Sequence, residues 1–328
     1  MKYYICANTS CGYWNFTEDN VSDVGKIINL KCTNQYAADK ILRTLCKSST
    51  DNFDEIIKEG TREVLGGIVS GDRRIAVVSN YESAIDSVDF DKLSGANADY
   101  ELVLTPEVKL LYAKAKQIHD DWEKIYIGNM DFSRLDSYSQ NVISSLVKEK
   151  SKTGAPAVYK RFFGTTTPGG TVNFIDEITT SLKERYFIKG RPGTGKSTFL
   201  KKLSSLLTEK GYTIEQYYCS FDPHSLDMVV CREMGFCVFD STAPHEKFPE
   251  REGDIILDFY EESGLCGTDE KLASELWEVK NRYNALMTEI NADLKESLTS
   301  FEKVQKKEFE LIDESIFEKT VNEIKEKL

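Results

Sequence analysis

Short apolar runs alternate with amphipathic stretches along most of the chain. The runs at 74–78, 186–189, 212–219 and 235–239 are rich in β-branched and aromatic residues, which predicts buried strands. Elsewhere, apolar residues recur three and four positions apart and predict helices, as at 198–207. Strands that alternate with helices indicate an α/β fold.

Two long helical segments are predicted at 106–150 and 268–328. The apolar residues on one face of the second segment are Leu272, Leu276, Val279, Tyr283, Leu286, Ile290, Leu294, Leu298 and Phe301. Their spacing fits two antiparallel helices, and it also fits a helical lid over a site elsewhere in the chain.

The order of predicted elements occurs twice. Residues 9–45 align without gaps on 167–203 and are identical at seven of 37 positions. Each copy continues to a second buried strand and ends in one of the long helical segments, so we interpret the chain as an internal repeat. The length of 328 residues also favours two domains. We place them at 1–152 and 153–328, with the boundary in the polar stretch 150–156.

Charge and composition exclude several classes of protein. The net charge of −12 repels a phosphate backbone, so general nucleic-acid binding is not expected. Apolar runs are too short for a transmembrane helix or a signal peptide, which predicts a cytoplasmic protein without membrane contact. The eight cysteines form no CxxC pair and are interpreted as reduced thiols.

The octapeptide Gly-Arg-Pro-Gly-Thr-Gly-Lys-Ser at 190–197 fits the phosphate-loop pattern GxxxxGK[ST] at every defined position. A predicted strand precedes it and a predicted helix follows it, as this motif requires. The residues expected to bind the phosphates of ATP or GTP are Gly190, Arg191, Pro192, Gly193, Thr194, Gly195, Lys196, Ser197 and Thr198.

Each residue type in this loop has a physical role. Gly193 and Gly195 let the backbone turn tightly and bring its amides close to an anion. The following helix directs its unpaired N–H groups and its positive end at the same point. Lys196 adds a cation for the β- and γ-phosphates, and the Ser197 hydroxyl is a ligand for Mg²⁺.

A second acidic element follows the strand at 235–239. Asp240 ends four apolar residues, so it is expected at the edge of the sheet where ligands of α/β proteins bind. We predict that it holds Mg²⁺ through water, although a strand-end Asp also caps the segment that follows it. The next residues are Ser241 and Thr242, so the Glu that many phosphate-loop ATPases place there to activate water is missing.

Further candidates lie in the loops after the predicted strands. Asp222 is placed to accept a proton from an attacking hydroxyl or to bind the metal, with Asp227 as a weaker candidate; an Asp before Pro also starts helices. His245 is a candidate to position phosphate or metal, although a single loop histidine is often only solvated. Three arginines that the sequence does not rank are candidates to bind the transferred phosphate: Arg191, Arg232 and Arg251.

The first copy is expected to lack a working phosphate site. Aligned on the loop, its replacements are Cys32 for Gly190, Gln35 for Gly193, Ala37 for Gly195, Ala38 for Lys196 and Asp39 for Ser197. A loop without glycine or lysine, and with an added carboxylate, repels a triphosphate. Residues 1–152 are therefore predicted to serve packing, regulation or partner contact.

The segments 187–197, 219–227 and 240–245 resemble a bacterial family of tandem P-loop proteins described as ATPases or nucleotide kinase-like proteins. The resemblance implies ATP binding in the second copy and two tandem P-loop NTPase-like, three-layer α/β domains with long helical extensions. Members often carry an intact loop in both halves, and this chain departs from that in its first half.

The predicted function is Mg²⁺-dependent binding of ATP or GTP and transfer of the γ-phosphoryl group to water or a small acceptor. Lys196, Asp222, Asp240 and His245 are the predicted catalytic residues, and Ser197 and Asp240 the predicted metal ligands. The alternative is a nucleotide-gated module that docks a protein partner and turns over little nucleotide.

Overall fold

The structure of the chain, a computed structural model, describes residues 1–95, 105–149 and 155–328. The predicted boundary at 150–156 falls mostly on 150–154, outside these ranges. No helix in the described ranges is both long enough and apolar enough to cross a bilayer.

The first half of the chain begins with a strand, a hairpin and a short helix and continues as alternating strands and helices. Its elements are β1 Lys2–Tyr4, β2 Cys6–Thr9, β3 Gly12–Asn15, α1 Thr17–Val21, β4 Lys26–Lys31, α2 Gln35–Ser48, β5 Phe53–Ile57, β6 Leu65–Ser70, β7 Ile75–Ser79, β8 Asp86–Asp89, α3 Phe90–Ser94, α4 Pro106–Ile127 and α5 Phe132–Leu146.

The second half has the same order of elements with one additional short helix, Thr268–Lys271. They are β9 Val158–Phe162, β10 Thr165–Thr167, β11 Gly170–Val172, α6 Ile175–Thr179, β12 Glu184–Lys189, α7 Lys196–Glu209, β13 Ile214–Tyr218, β14 Leu226–Cys231, β15 Phe236–Asp240, β16 Asp254–Asp258, α8 Phe259–Glu262, α9 Thr268–Lys271, α10 Ala273–Glu310 and α11 Glu314–Lys327. The predicted α/β class is confirmed.

Twelve of these strands form one mixed sheet, in the order β16-β12-β15-β14-β13-β9-β1-β5-β6-β7-β4-β8. Each half contributes six strands in the same order, counted from the centre outwards. The halves join where β1 lies antiparallel to β9, with Tyr4 opposite Phe162. Within each half, the third strand from the centre is antiparallel to both of its neighbours.

Helices cover both faces of the sheet in the second half. Along β15, Phe236 and Val238 belong to the apolar cluster that contains α7, and the alternate residues Cys237 and Phe239 belong to the cluster that contains α6. This alternation follows from the strand period of two residues. The arrangement is a helix–sheet–helix sandwich with the phosphate loop at one edge.

The long helices pack across the halves. In α5, Leu135, Ile143 and Leu146 join the apolar cluster of α7, although α5 precedes the second half in sequence. In α11, the Phe317 ring lies 5.3 Å from the Phe90 ring of α3, in the first half. The helix pair of each half therefore covers the other half, and α4 and α10 pack against each other between them.

The degenerate loop of the first half is closed by side chains of the chain itself. The Asn34 side chain accepts hydrogen bonds from the amides of Tyr36 and Ala37 at the start of α2. The Gln305 side-chain oxygen of α10 accepts a hydrogen bond of 2.7 Å from the amide of Gln35. The backbone carbonyl of Gln305 accepts one of 2.8 Å from the Asn34 side chain. Gln305 is 1% exposed, so these bonds form away from water.

Replacing Gln305 by Ala leaves the Gln35 amide without its acceptor in a buried position. We expect the free energy of unfolding to fall by about 1–3 kcal/mol. Urea unfolding followed by circular dichroism measures this change. The exposed Gln117 of α4 provides the matched variant Gln117→Ala, which should stay within about 0.5 kcal/mol of the parent. Equal midpoints for the two variants would show that Gln305 does not close the first loop.

Candidate phosphate site

The loop at 190–197 turns between β12 and α7 at the carboxyl edge of the sheet. Gly193 and Gly195 have positive φ values of 79° and 74°, which residues other than glycine rarely adopt. At Gly190, a Cβ would lie 2.5 Å from the Thr194 hydroxyl oxygen. The two glycines that the motif requires, Gly190 and Gly195, and also Gly193, are therefore needed for the shape of this loop.

Thr194 and Lys196 hold the loop from within. The Thr194 hydroxyl and the Lys196 ammonium both donate to the Arg191 carbonyl, at 2.8 and 2.9 Å. The Lys196 Nζ also lies 3.6 Å from Asp240 Oδ2. The side chain that is predicted to contact phosphate thus folds back over the loop towards the predicted metal ligand.

The start of α7 differs from the start of α2. The N-cap of α7 is Gly195, and no side chain caps this helix, whereas Asn34 and Gln305 both accept from amides at the start of α2. Uncapped amides at the start of a helix of this length attract an anion. Thr198, in the first turn of α7, is exposed.

Ser197 and two carboxylates meet at the same edge. The Ser197 hydroxyl accepts a hydrogen bond of 2.9 Å from the amide of Leu226, the first residue of β14. Pairing of Met228 with Phe239 places the next residue, Asp227, opposite Asp240 on the neighbouring strand. Hydroxyl and carboxylate oxygens are the ligands that Mg²⁺ prefers, so Ser197, Asp227 and Asp240 could hold this ion.

The environments of the two carboxylates differ. Burial, and secondly the negative charge of Asp240, raise the pKa of Asp227 to about 8. Asp240 is more exposed, and its Oδ1 accepts hydrogen bonds from the amide and the hydroxyl of Thr242. The raised pKa favours the neutral form of Asp227, because a second negative charge next to the first is costly in a buried site.

The structure does not bring Asp222 to the same point. Its Oδ1 accepts from the His224 amide in a turn, and its Oδ2 lies 3.4 Å from the Lys116 Nζ of α4. The alternative reading of Asp222 as a helix cap is wrong, because the turn leads into β14. Of the two candidates Asp222 and Asp227, it is Asp227, in β14, that lies next to Asp240.

His245 lies in the loop that follows Asp240, with its amide donating to the Thr242 carbonyl. Its ring packs edge-on against Phe163 at 4.9 Å, and burial lowers its pKa. The Nδ1 atom is buried and has no hydrogen-bond partner among the described residues. A neutral imidazole in this place can donate to or accept from a ligand, but it adds no positive charge.

The three arginine candidates have different surroundings. Arg191 pairs with Asp269, with Nη2 and Nε at 2.7 and 2.9 Å from the same oxygen. Arg232 pairs with the buried Glu215, and Arg251 donates to backbone carbonyls after α6. Since Arg232 and Arg251 stabilise the fold elsewhere, Arg191 is the candidate that lies in the loop.

A cluster on α4 was missed in the sequence because the helix belongs to the first half. A Cβ on Gly193 would lie 2.8 Å from the Glu123 carbonyl oxygen, and a Cβ on Gly195 would lie 3.4 Å from Leu135 of α5. The ligand atoms of His119, Asp120 and Glu123 lie within 4.8 Å of one another. The helical spacing of these three residues was visible, but nothing in the sequence linked them to the loop.

Replacing Asp227 by Asn should change how stability depends on pH. Because folding raises the pKa of Asp227 from an ordinary 3.8 to about 8, the folded protein binds the proton more tightly than the unfolded chain. The contribution of this group to stability is complete below about pH 4 and is lost as the pH rises towards 8. As the pH rises from 6 to 9, the free energy of unfolding should therefore fall less for Asp227→Asn than for the parent.

Urea unfolding at several pH values tests this, with the exposed Asp121→Asn as the control that follows the parent. Mg²⁺ should raise the stability of the parent more at pH 8.5 than at pH 6.5, because the metal replaces the proton. Parallel pH profiles for the parent and Asp227→Asn would contradict the raised pKa.

No protein-family model, no curated protein and no solved structure matches the chain. The resemblance to tandem P-loop ATPases and nucleotide kinase-like proteins therefore stays a prediction from residues 187–197, 219–227 and 240–245.

Proposed function

We propose that the chain binds Mg²⁺ with ATP or GTP at residues 190–197 and transfers the γ-phosphoryl group to water or a small acceptor. The observation that carries this proposal is the uncapped start of α7 beside Lys196, Ser197 and two neighbouring carboxylates. Amides and an ammonium bind the phosphates, and the hydroxyl and carboxylates bind the metal. Two tandem P-loop NTPase-like domains, of which the second is active, are part of the same proposal.

The repeated strand order supports this organisation. Each half places a loop and a helix after an equivalent strand, β4 in the first half and β12 in the second. In the first half, Asn34 and Gln305 accept hydrogen bonds from the amides at the start of α2, whereas the second loop has glycines and a lysine. A single nucleotide per chain is therefore expected.

A nucleotide-gated module is the second candidate, and one contact favours it. A Cβ on Gly193 would lie 2.8 Å from the Glu123 carbonyl oxygen of α4, so a shift of the loop on nucleotide binding would displace α4. In this case nucleotide binding would reposition α4 and α5 for a protein partner, with little turnover.

A thermal-shift titration with ATP, GTP and Mg²⁺ tests the proposed site. At a hundred times Kd, nucleotide should add about 2.7 kcal/mol to the stability of the parent. Lys196→Ala should lose most of this gain, because the ammonium no longer balances the phosphate charge. Lys201→Ala, on the exposed side of the same helix, should retain it. An equal gain for both variants, or none for the parent, would contradict binding at this loop.

A further inference from the structure

The edge of the sheet offers carboxylates for a metal but none that faces the apex of the loop. Asp240 is held by Thr242 and lies 3.6 Å from Lys196, and Asp227 is buried behind it. Asp222 is turned towards Lys116. A phosphoryl transfer to water needs a group that accepts the proton of the attacking water. None of these three carboxylates is available for this role, and the Asp269 carboxylate is paired with Arg191 of the loop. A further carboxylate comes from the helix that covers the loop.

Helix α4 is the element that covers it. The Glu123 carbonyl would lie 2.8 Å, and its Cβ 3.1 Å, from a Cβ on Gly193. The Glu123 carboxylate is partly exposed and has an oxygen 3.7 Å from His119 Nδ1. The side chain of Glu123 therefore leaves α4 at the point where the helix lies against Gly193.

The first half shows how far a side chain in this position reaches. Glu123 and Gln305 each lie eight residues before the Asp that caps the next helix, Asp131 and Asp313. The loop residue beneath Glu123 is Gly193, and the alignment puts Gln35 in the same position of the first loop. The Gln305 side-chain oxygen lies 2.7 Å from the Gln35 amide nitrogen. A side chain at position 123 can therefore reach the amide of Gly193, three residues before the start of α7.

We propose that Glu123 is the general base of the second half, contributed by the first half through α4. This inference rests on the proposed function and makes water the acceptor. The water oxygen forms a bond to the γ-phosphorus as the bond from that phosphorus to the bridging oxygen breaks. Mg²⁺-bound nucleoside diphosphate leaves with that oxygen, and the proton of the water passes to the Glu123 carboxylate.

His119 positions this carboxylate. Burial and the nearby positive charges of Lys116 and Lys196 lower the pKa of His119, and the negative charges of Glu123 and Asp120 act in the opposite direction. The His119 ring packs against Trp122 of α4, Phe221 after β13 and Tyr283 of α10, which holds the ring between these elements. A fixed imidazole restricts the conformers of Glu123.

Single-turnover release of phosphate from Mg²⁺-ATP, with protein in excess over nucleotide, tests the role of Glu123 in the full chain. Glu123→Gln has the side chain that Gln305 has in the first half, so its fold should be preserved. We expect ATP to bind at least as tightly as in the parent, while phosphate release slows by about 100-fold or more. Glu123→Asp, which keeps a carboxylate, should recover part of the rate.

The exposed Asp121 of α4 supplies the matched control, since Asp121→Asn removes one negative charge from the same helix. Its rate should stay within about twofold of the parent. Turnover by Glu123→Gln within about threefold of the parent would overturn the role of Glu123 and leave the proposed function intact. Binding without turnover in the parent would also overturn this role, and a parent that binds no nucleotide would overturn the proposed function itself.

Discussion

The unpaired amides at the start of a helix need an acceptor, and this need divides the two halves of the chain. At α2 the acceptors are Asn34 and Gln305, which are buried with the amides that they satisfy. At α7 the preceding residue is Gly195, no side chain caps the amides, and the Lys196 ammonium lies 3.6 Å from the Asp240 carboxylate. The same backbone geometry is thus closed by a neutral side chain in one half and suited to an anion in the other.

This difference gives the long helices two roles. The contact of Gln305 with the first loop helps to hold α10 and α11 over the first half, with Phe317 packed on Phe90. The equivalent helix pair, α4 and α5, lies over the second loop through Glu123 and Leu135. The second loop is covered by α4 at Glu123, whereas the first loop is hydrogen-bonded to Gln305 of α10. In the proposed function, the first half thus supplies a covering element instead of a second site.

The sequence predicted the α/β class and the local elements, because strands such as β15 and helices such as α7 follow their own periodicity. The turn at 190–197 between a strand and a helix was predictable for the same reason, because its glycines, Lys196 and Ser197 lie in one short segment. The joining of twelve strands from both halves into one sheet was not predictable, since it depends on the antiparallel contact of β1 with β9. The strand β14 was missed, so the place of Asp227 beside Asp240 was not recognised.

The exchange of helix pairs between the halves was also beyond the sequence. Amphipathic periodicity shows which face of a helix is buried, but it does not identify the surface that the face packs against. Glu123 therefore read as a residue of a helical extension of the first half. The segment 268–328 was predicted correctly as amphipathic helix, yet the buried Gln305 of α10 lies in a polar contact that periodicity alone does not reveal.

The central claim is that one triphosphate and one metal bind at the start of α7. A crystal structure of the chain with Mn²⁺ and a non-hydrolysable ATP analogue tests it most directly, because the anomalous signal of Mn²⁺ locates the metal independently. The account predicts one Mn²⁺ peak beside the Ser197 hydroxyl and the Asp240 carboxylate, with the phosphates against residues 190–197. A metal peak and phosphates at the first loop, at the edge of another element, or at neither loop would contradict it.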